Sequence, residues 1–412
     1  MSILIEKITG REILGANGRP TVEAQLTTSA GITVTASVPG GSSKGAYEAH
    51  ELLDGGARFA GKGVKNAAAG ISGEINSALA GMDVTRQRQI DRLLCELDGT
   101  PNKERLGGNA ILAVSQAAAR AGALSLGIPL YRYLGGFNVK RMPDIASTVI
   151  SGGAFSPSGL EFEDYLMILE GFPTFADQVE ALAAMRMYME KRLEERFGFY
   201  PQDNGAYAPP LANSAEAFAI MMESARMVGC ERMVKLGLDV AASELYDAKT
   251  GNYVLSGKSY DTDALLSYYI QLCRDYPMIY IEDGFEQDSF EQFARLKASV
   301  PGLMVVGDDL FATNIERVKK GVETNAANTL LLKINQIGTI SESFDAVIYA
   351  RQNGYEITTS LRSGETTDDF AADMAVAVSS RSMKLGSPFR VERGVKYNRL
   401  LKIESELILN TD

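Results

Sequence analysis

Asp239, Glu282, Asp308 and Lys333 share one sequence context. Each closes a short apolar run: Val234–Leu238, Met278–Ile281, Leu303–Gly307 and Thr329–Leu332. Longer amphipathic stretches separate the runs, and that alternation predicts strands of a parallel sheet joined by helices. In a barrel built this way, the residue at the C-terminal end of a strand faces the active-site mouth. Three carboxylates and a lysine would then converge on one point. Carboxylates crowded together repel, and a hard divalent cation, Mg²⁺ above all, neutralises them through oxygen ligands. Taken singly, each acid reads equally well as a helix N-cap or a loop ion-pair partner. Four charged residues in series at strand ends favour a functional cluster.

Such a cluster needs a large scaffold, and the composition supplies one. The chain has 412 residues, 45 % of them apolar, and a net charge of −11 from 41 basic and 52 acidic side chains. No basic block marks a nucleic-acid partner. No apolar run is long enough to span a membrane, and no N-terminal targeting signal is seen. Cys95, Cys230 and Cys273 are scattered without a CxxC pair, as expected of thiols in a reducing compartment. His50 is the single histidine, which excludes a histidine pair or a histidine-rich zinc site within one chain. A cytoplasmic protein is expected.

Along the chain, Ile3–Leu14, Thr21–Thr28 and Ile32–Val38 predict a three-stranded antiparallel meander with turns at Asn17-Gly18 and Ala30-Gly31. The glycine- and serine-rich stretch Val38–Gly45 reads as a loop able to approach an anion or metal, or as a plain connector; its spacing is not that of a phosphate-binding loop. Residues 64–134 are largely helical, with Ala67–Met82 and Asn109–Leu126 at helical spacing. Gly135-Gly136 and Pro143 place a domain boundary near residue 138, dividing the chain into an α+β cap (1–138) and a barrel (139–412). Strands are predicted at Ile145–Ile150, Asp164–Leu169, Tyr355–Ser360 and Lys384–Val391. Helices are predicted at Phe175–Phe197, Ser214–Val228, Ile340–Asn353 and Tyr397–Leu407.

Several segments together resemble the enolase family. They are Gly237–Glu244, Tyr280–Asp283, Val306–Leu310, Leu331–Gly338, Arg362–Thr366 and Lys396–Leu401, with Glu96–Thr100 and Gly107–Leu112 in the cap. The resemblance runs through the whole chain in order. It implies an α/β fold, a cap of a three-stranded meander plus helices and an enolase-type (β/α) TIM-like barrel. It further implies that Asp239, Glu282 and Asp308 bind one Mg²⁺ and that Ser43 helps bind a second. Lys333 would remove the proton α to a carboxylate, Lys396 would hold that carboxylate, and Arg362 and Ser363 would hold the phosphate. The chemistry is coherent: an α-proton of a carboxylate is weakly acidic, so metal and lysine charge must stabilise the dianionic enolate. A homodimer or larger ring is implied, with Arg11 facing Glu404 and Glu23 facing Lys402 across the interface.

The departures from that family lie at the other half of the mouth. Asn204 stands where the family has the acid that helps the hydroxyl leave, and an amide cannot donate a proton in that role. Asp164 shortens a second acid, Phe155 and Leu361 replace histidines, Gly40 replaces the cap loop's first serine, and Gly15-Ala16-Asn17-Gly18 replaces an Asp-Ser-Arg-Gly turn. The favoured expectation is therefore a Mg²⁺-dependent lyase forming an enolate of a phospho- or phosphono-carboxylate with altered leaving-group chemistry, of the kind in phosphonate biosynthesis by carboxyphosphonoenolpyruvate synthase. The alternatives are ordinary phosphopyruvate hydratase and a non-catalytic paralogue.

Overall fold

A computed structural model describes residues 2–41, 45–137, 139, 141–153 and 156–408. The N-terminal sheet is the expected meander. Strands β1 (Ile5–Leu14), β2 (Pro20–Thr28) and β3 (Thr33–Ser37) run antiparallel in that order. Its buried face packs on α1 (Gln87–Asp98) and α2 (Gly108–Leu126) through α2, which contacts both β2 and β3. Helix α2 is apolar nearly all round and is buried from Gly108 through Ala119. A helix of that kind has protein on every side. Here the other sides meet α1 and the barrel helix Ile340–Gln352.

The barrel comprises β4 (Asp144–Ser151), β5 (Asp164–Leu169), β6 (Val234–Asp239), β7 (Met278–Glu282), β8 (Met304–Gly307), β9 (Thr329–Leu332), β10 (Glu356–Ser360) and β11 (Ser382–Lys384). Neighbours pair in sequence order, and β11 pairs with β4 to close the ring. Side chains of Ala146, Leu166, Ile168, Tyr280, Met304, Val306 and Leu331 fill the interior as a packed core, as in barrels of this size. One strand breaks the parallel rule. β5 runs antiparallel to both β4 and β6, with Asp164 opposite Asp239. Asp164 opens β5, yet it therefore lies at the same end of the barrel as the residues that close the other strands.

Helix α3 (Phe175–Phe197) follows β5 and starts with a reciprocal cap. Asp177 N donates to Thr174 Oγ1 at 3.0 Å, and Thr174 N donates to Asp177 Oδ2 at 3.1 Å. Thr174→Ala is expected to cost about 1 kcal/mol, read as a lower urea midpoint with unchanged slope.

Two local readings are corrected. Lys384 was expected to begin a strand, whereas it ends β11. The C-terminal helix, α4 (Val391–Ile408), starts earlier than Tyr397, so Lys396 lies on a helix and not near a strand end. A small antiparallel sheet (Tyr246–Asp247, Asn252–Leu255, Lys258–Tyr260) also follows β6 where only a helical stretch was expected. The expected boundary residue 138, and the site candidates Ser43 and Phe155, lie outside the described residues. No helix among them is long and apolar enough to cross a membrane.

Candidate active site

Hydrogen bonding along the parallel strands sets Asp239 beside Glu282 in register. β8 and β9 then bring Asp308 and Lys333 to the same rim. A cavity of about 300 Å³ opens above them. Asp164, Asn204, Asp239, Lys333, Leu361, Arg362 and Ser363 line it, so the structure brings most of the sequence-derived candidates together. Glu282 lies beneath this lining and is fully buried; Asp308 is 8 % exposed.

Two lysines neutralise the carboxylates. Lys333 is paired with Asp308, whose other oxygen accepts from Gln336 Nε2 at 2.7 Å. Lys384 Nζ lies 2.6 Å from Asp239, 3.1 Å from Glu282 and 3.0 Å from Asp164. Burial alone would lower the pKa of Lys384, but Asp239, Glu282 and Asp164 outweigh it and hold the ammonium well above its ordinary range. Burial likewise works against a charged Lys333, and Asp308 outweighs it, so that pKa is also raised. Glu282 is pushed well up, first by burial and then by Asp239. Asp308 goes the other way: burial would raise it, but the Lys333 ammonium holds it below the usual range.

The donors Asp239, Glu282 and Asp308 offer only hard oxygen atoms on adjacent strand ends, which suits Mg²⁺. A further trio, Asp283, Asp308 and Asp309, has carboxylate oxygens within 4.8 Å of one another. Asp283 there accepts the main-chain N–H groups of Asp308 and Asp309 at 2.9 and 2.8 Å. It fixes the turn that presents Asp308, and that accounts for its burial.

Lys396 does not reach the cavity. Its Nζ donates to the carbonyls of Thr366 and Glu392 and pairs with Glu365 at 2.8 Å. Glu365 in turn accepts from Arg362 N at 3.1 Å. Lys396 thus braces the Arg362–Glu365 turn from behind. The lysine that lines the cavity beside Lys333 is Lys384, which sequence reasoning missed. Ser382–Lys384 is also a short strand ending on a charge, but with Met383 as its one apolar residue it gives no apolar run to read.

Asn204 is part of a tight hairpin. Gln202–Asp203 pairs with Ala206–Tyr207, and Asn204 and Gly205 have φ of 48° and 85°. A two-residue turn with both central residues left-handed favours the Asn-Gly pair. The amide at this position therefore has a backbone reason to be there, which weakens the inference from Asn204 to altered chemistry. Two further carboxyls line the cavity, Asp203 and Glu163. Asp203 Oδ1 accepts from Asn204 Nδ2 at 3.0 Å and Oδ2 accepts from Ser151 Oγ at 3.0 Å. Burial, then Asp239 and Asp164, push Glu163 well above the usual carboxylate range.

The cap closes one side. Glu48 Oε2 accepts from Arg362 Nη1 at 2.8 Å. Gly40 and Gly364 exchange main-chain hydrogen bonds, and Ala16 N donates to Glu365 O at 2.8 Å. Gly41 lies so close to the Arg362 guanidinium that a Cβ there would be 1.9 Å from Nη2.

A capped barrel with one reversed strand thus gathers acids and a buried lysine at the C-terminal end of its strands, the face on which barrel enzymes carry their active sites. The profile described as "Enolase, C-terminal TIM barrel domain" matches residues 139–411, and "Enolase, N-terminal domain" matches 5–134. The proteins named Enolase from Methanococcus vannielii and Methanopyrus kandleri are each 43 % identical to this chain, over 98 % of it and over 95 % and 96 % of their own lengths. The one from Methanocaldococcus jannaschii is 44 % identical over 98 % of this chain and 96 % of its own length. The chain belongs to the enolase family, and it is a lyase of that family.

Proposed function

We propose that the protein is a Mg²⁺-dependent phosphopyruvate hydratase, interconverting 2-phosphoglycerate and phosphoenolpyruvate. This reverses the preference drawn from the sequence departures. The relatives' shared name favours it, and Asn204 has the structural explanation given above. The observation that carries it is the convergence of Asp239, Glu282, Asp308 and Lys333 at one end of the barrel, where Asp239 and Lys333 line the cavity.

Asp239, Glu282 and Asp308 would hold one Mg²⁺, and Ser43 would contribute to a second. Bound there, the metal supplies positive charge to the developing dianion. Lys333 takes the α-proton as its neutral amine, a form favoured once Asp308 is engaged elsewhere and no longer stabilises the ammonium. Lys384, in place of Lys396, faces the substrate carboxylate. Arg362 and Ser363 hold the phosphate. Asp164 and Glu163 lie nearest in kind to the acid that Asn204 cannot be.

The test is ultraviolet absorbance of phosphoenolpyruvate formed from 2-phosphoglycerate with Mg²⁺, alongside α-proton exchange in D₂O. Both are expected, and absence of exchange would overturn the reading. Asn204→Glu is expected to speed elimination by about 10²-fold, the lower end of the range of general acid catalysis, without speeding exchange.

A second reading is favoured by one observation: apolar Leu361, 8 % exposed, lines the cavity between Ser360 and Arg362. That feature suits a phosphono-carboxylate and the altered leaving-group chemistry of a carboxyphosphonoenolpyruvate synthase. Exchange without phosphoenolpyruvate formation would select it.

A cytoplasmic homodimer or higher ring fits either reading. Within one chain Arg11 pairs with Glu23 at 2.5 Å, and Glu404 accepts from the main-chain N–H groups of Phe175 and Ala176. The interface pairs expected of these residues would have to form by exchange with those contacts.

A further inference from the structure

Tyr280 carries a hydroxyl into the apolar interior of the barrel, where it packs with Ile168, Met304 and Leu331. It is fully buried. A phenol in such surroundings needs a hydrogen-bond partner, and strand geometry supplies one. Side chains two apart on a strand share a face, so Tyr280 lies directly below Glu282 on β7. Tyr280 Oη donates to Glu282 Oε2 at 2.5 Å.

The sequence makes room for the ring on the neighbouring strand. Tyr280 stands opposite Gly237 of β6 in register. A Cβ at Gly237 would come 3.0 Å from Tyr280 Cβ and 3.2 Å from Cδ1. Glycine inside a strand commonly marks a close approach of this kind. Two residues further along the same strands, Glu282 stands opposite Asp239. A glycine and a tyrosine thus sit beneath a pair of acids.

Glu282 has one other side-chain donor among the described residues, and that donor is shared. Lys384 Nζ divides itself among Asp164, Asp239 and both oxygens of Glu282. Its positive charge also competes with any cation that the acids bind. The phenol differs on both counts. Its hydroxyl is given to Glu282, and at neutral pH it is uncharged, so it orients the carboxylate without repelling a metal ion.

We propose that Tyr280 is a positioning residue for the divalent cation site, its hydroxyl fixing the Glu282 carboxylate from inside the barrel so that Glu282 meets the metal in one orientation. Hydrogen-bond partners behind metal-ligating carboxylates typically contribute about 10–100-fold in metal affinity. The inference rests on the assignment of Glu282 to Mg²⁺ in the proposed function. It does not require that 2-phosphoglycerate be turned over.

Calorimetry of the full chain with Mg²⁺ alone, parent against Tyr280→Phe, tests it. The substitution keeps the ring against Gly237 and removes only the hydroxyl. The Mg²⁺ dissociation constant is expected to rise about 10–100-fold. Mg²⁺ protection against urea unfolding gives a second measure of the same affinity. A tyrosine that merely fills the barrel would lower the urea midpoint in EDTA and leave both Mg²⁺ measures where they were, and that outcome would overturn the proposal. A parent chain that binds no Mg²⁺ would overturn it together with the metal assignment. Weakened binding in the variant, with no phosphoenolpyruvate formed by the parent, would sustain the role of Tyr280 and remove only the hydratase reading.

Discussion

Replacing Lys333 with Met is expected to lower α-proton exchange by roughly 10²–10⁴-fold, the usual contribution of a positioned general base. The change removes the amine and leaves a chain of similar length at the end of β9. It should leave phosphate binding at Arg362 in place, so the loss is expected in turnover and not in ligand affinity. The pH dependence has a definite sign. Lys333 acts as a neutral amine, and Asp308 raises its pKa when no metal ion engages that carboxylate. Exchange should therefore rise with pH at low Mg²⁺, with the rising limb moving to lower pH as Mg²⁺ is added. A Lys333→Met protein that exchanges at the parent rate would remove the lysine from the mechanism.

The second large effect separates two buried lysines that look alike in the sequence. Lys384→Met leaves Asp164, Asp239 and Glu282 without their shared cation. Breaking a buried pair typically costs about 3–5 kcal/mol, and a loss of that order is expected in the metal-free protein. Saturating Mg²⁺ should recover part of it by supplying charge to the same carboxylates, though turnover should stay low. The crowded carboxyls of the folded variant would have pKa values above those of the unfolded chain. The folded state then holds more protons in that window, so the stability of the variant should be greatest at low pH and fall as pH rises. Lys396→Met also removes a buried cation, with Glu365 as its partner. Its destabilisation should show no recovery with Mg²⁺, because Glu365 belongs to the Arg362 turn and not to the acid cluster. Urea unfolding of both variants across a Mg²⁺ series reads the contrast. Equal recovery would mean that the two lysines share one site.

The barrel and its acids were legible because each strand advertises itself locally. Val234–Asp239 and Thr329–Leu332 are apolar, short and closed by a charge, and periodicity needs nothing more. Lys384 failed that reading because its strand is only Ser382–Lys384, with one apolar residue inside it, while the following Leu385–Val391 is the more apolar stretch. Lys396 was placed by motif alone, and motif similarity does not say whether a lysine points into a cavity or behind a turn. Glu163 was illegible for a different reason. Its position depends on an antiparallel strand whose direction no local pattern encodes. Asn204 shows the converse error. Its side-chain chemistry drew attention, but the left-handed backbone it occupies is a conformation that Asn and Gly tolerate best.

Helix α2 carries one last consequence. It is sandwiched between the cap sheet and the barrel, and Arg120 on it reaches Asp368 at 2.7 Å. Glu48, which pairs with Arg362, is cap-borne, whereas the acids and Lys333 are barrel-borne. A single largely buried helix packs between these two contributions and joins them. Selectivity and chemistry in this protein can therefore not be inherited as separable cassettes. A cap grafted from a relative would bring its own version of that helix, and new preferences must arise by point changes along a shared seam.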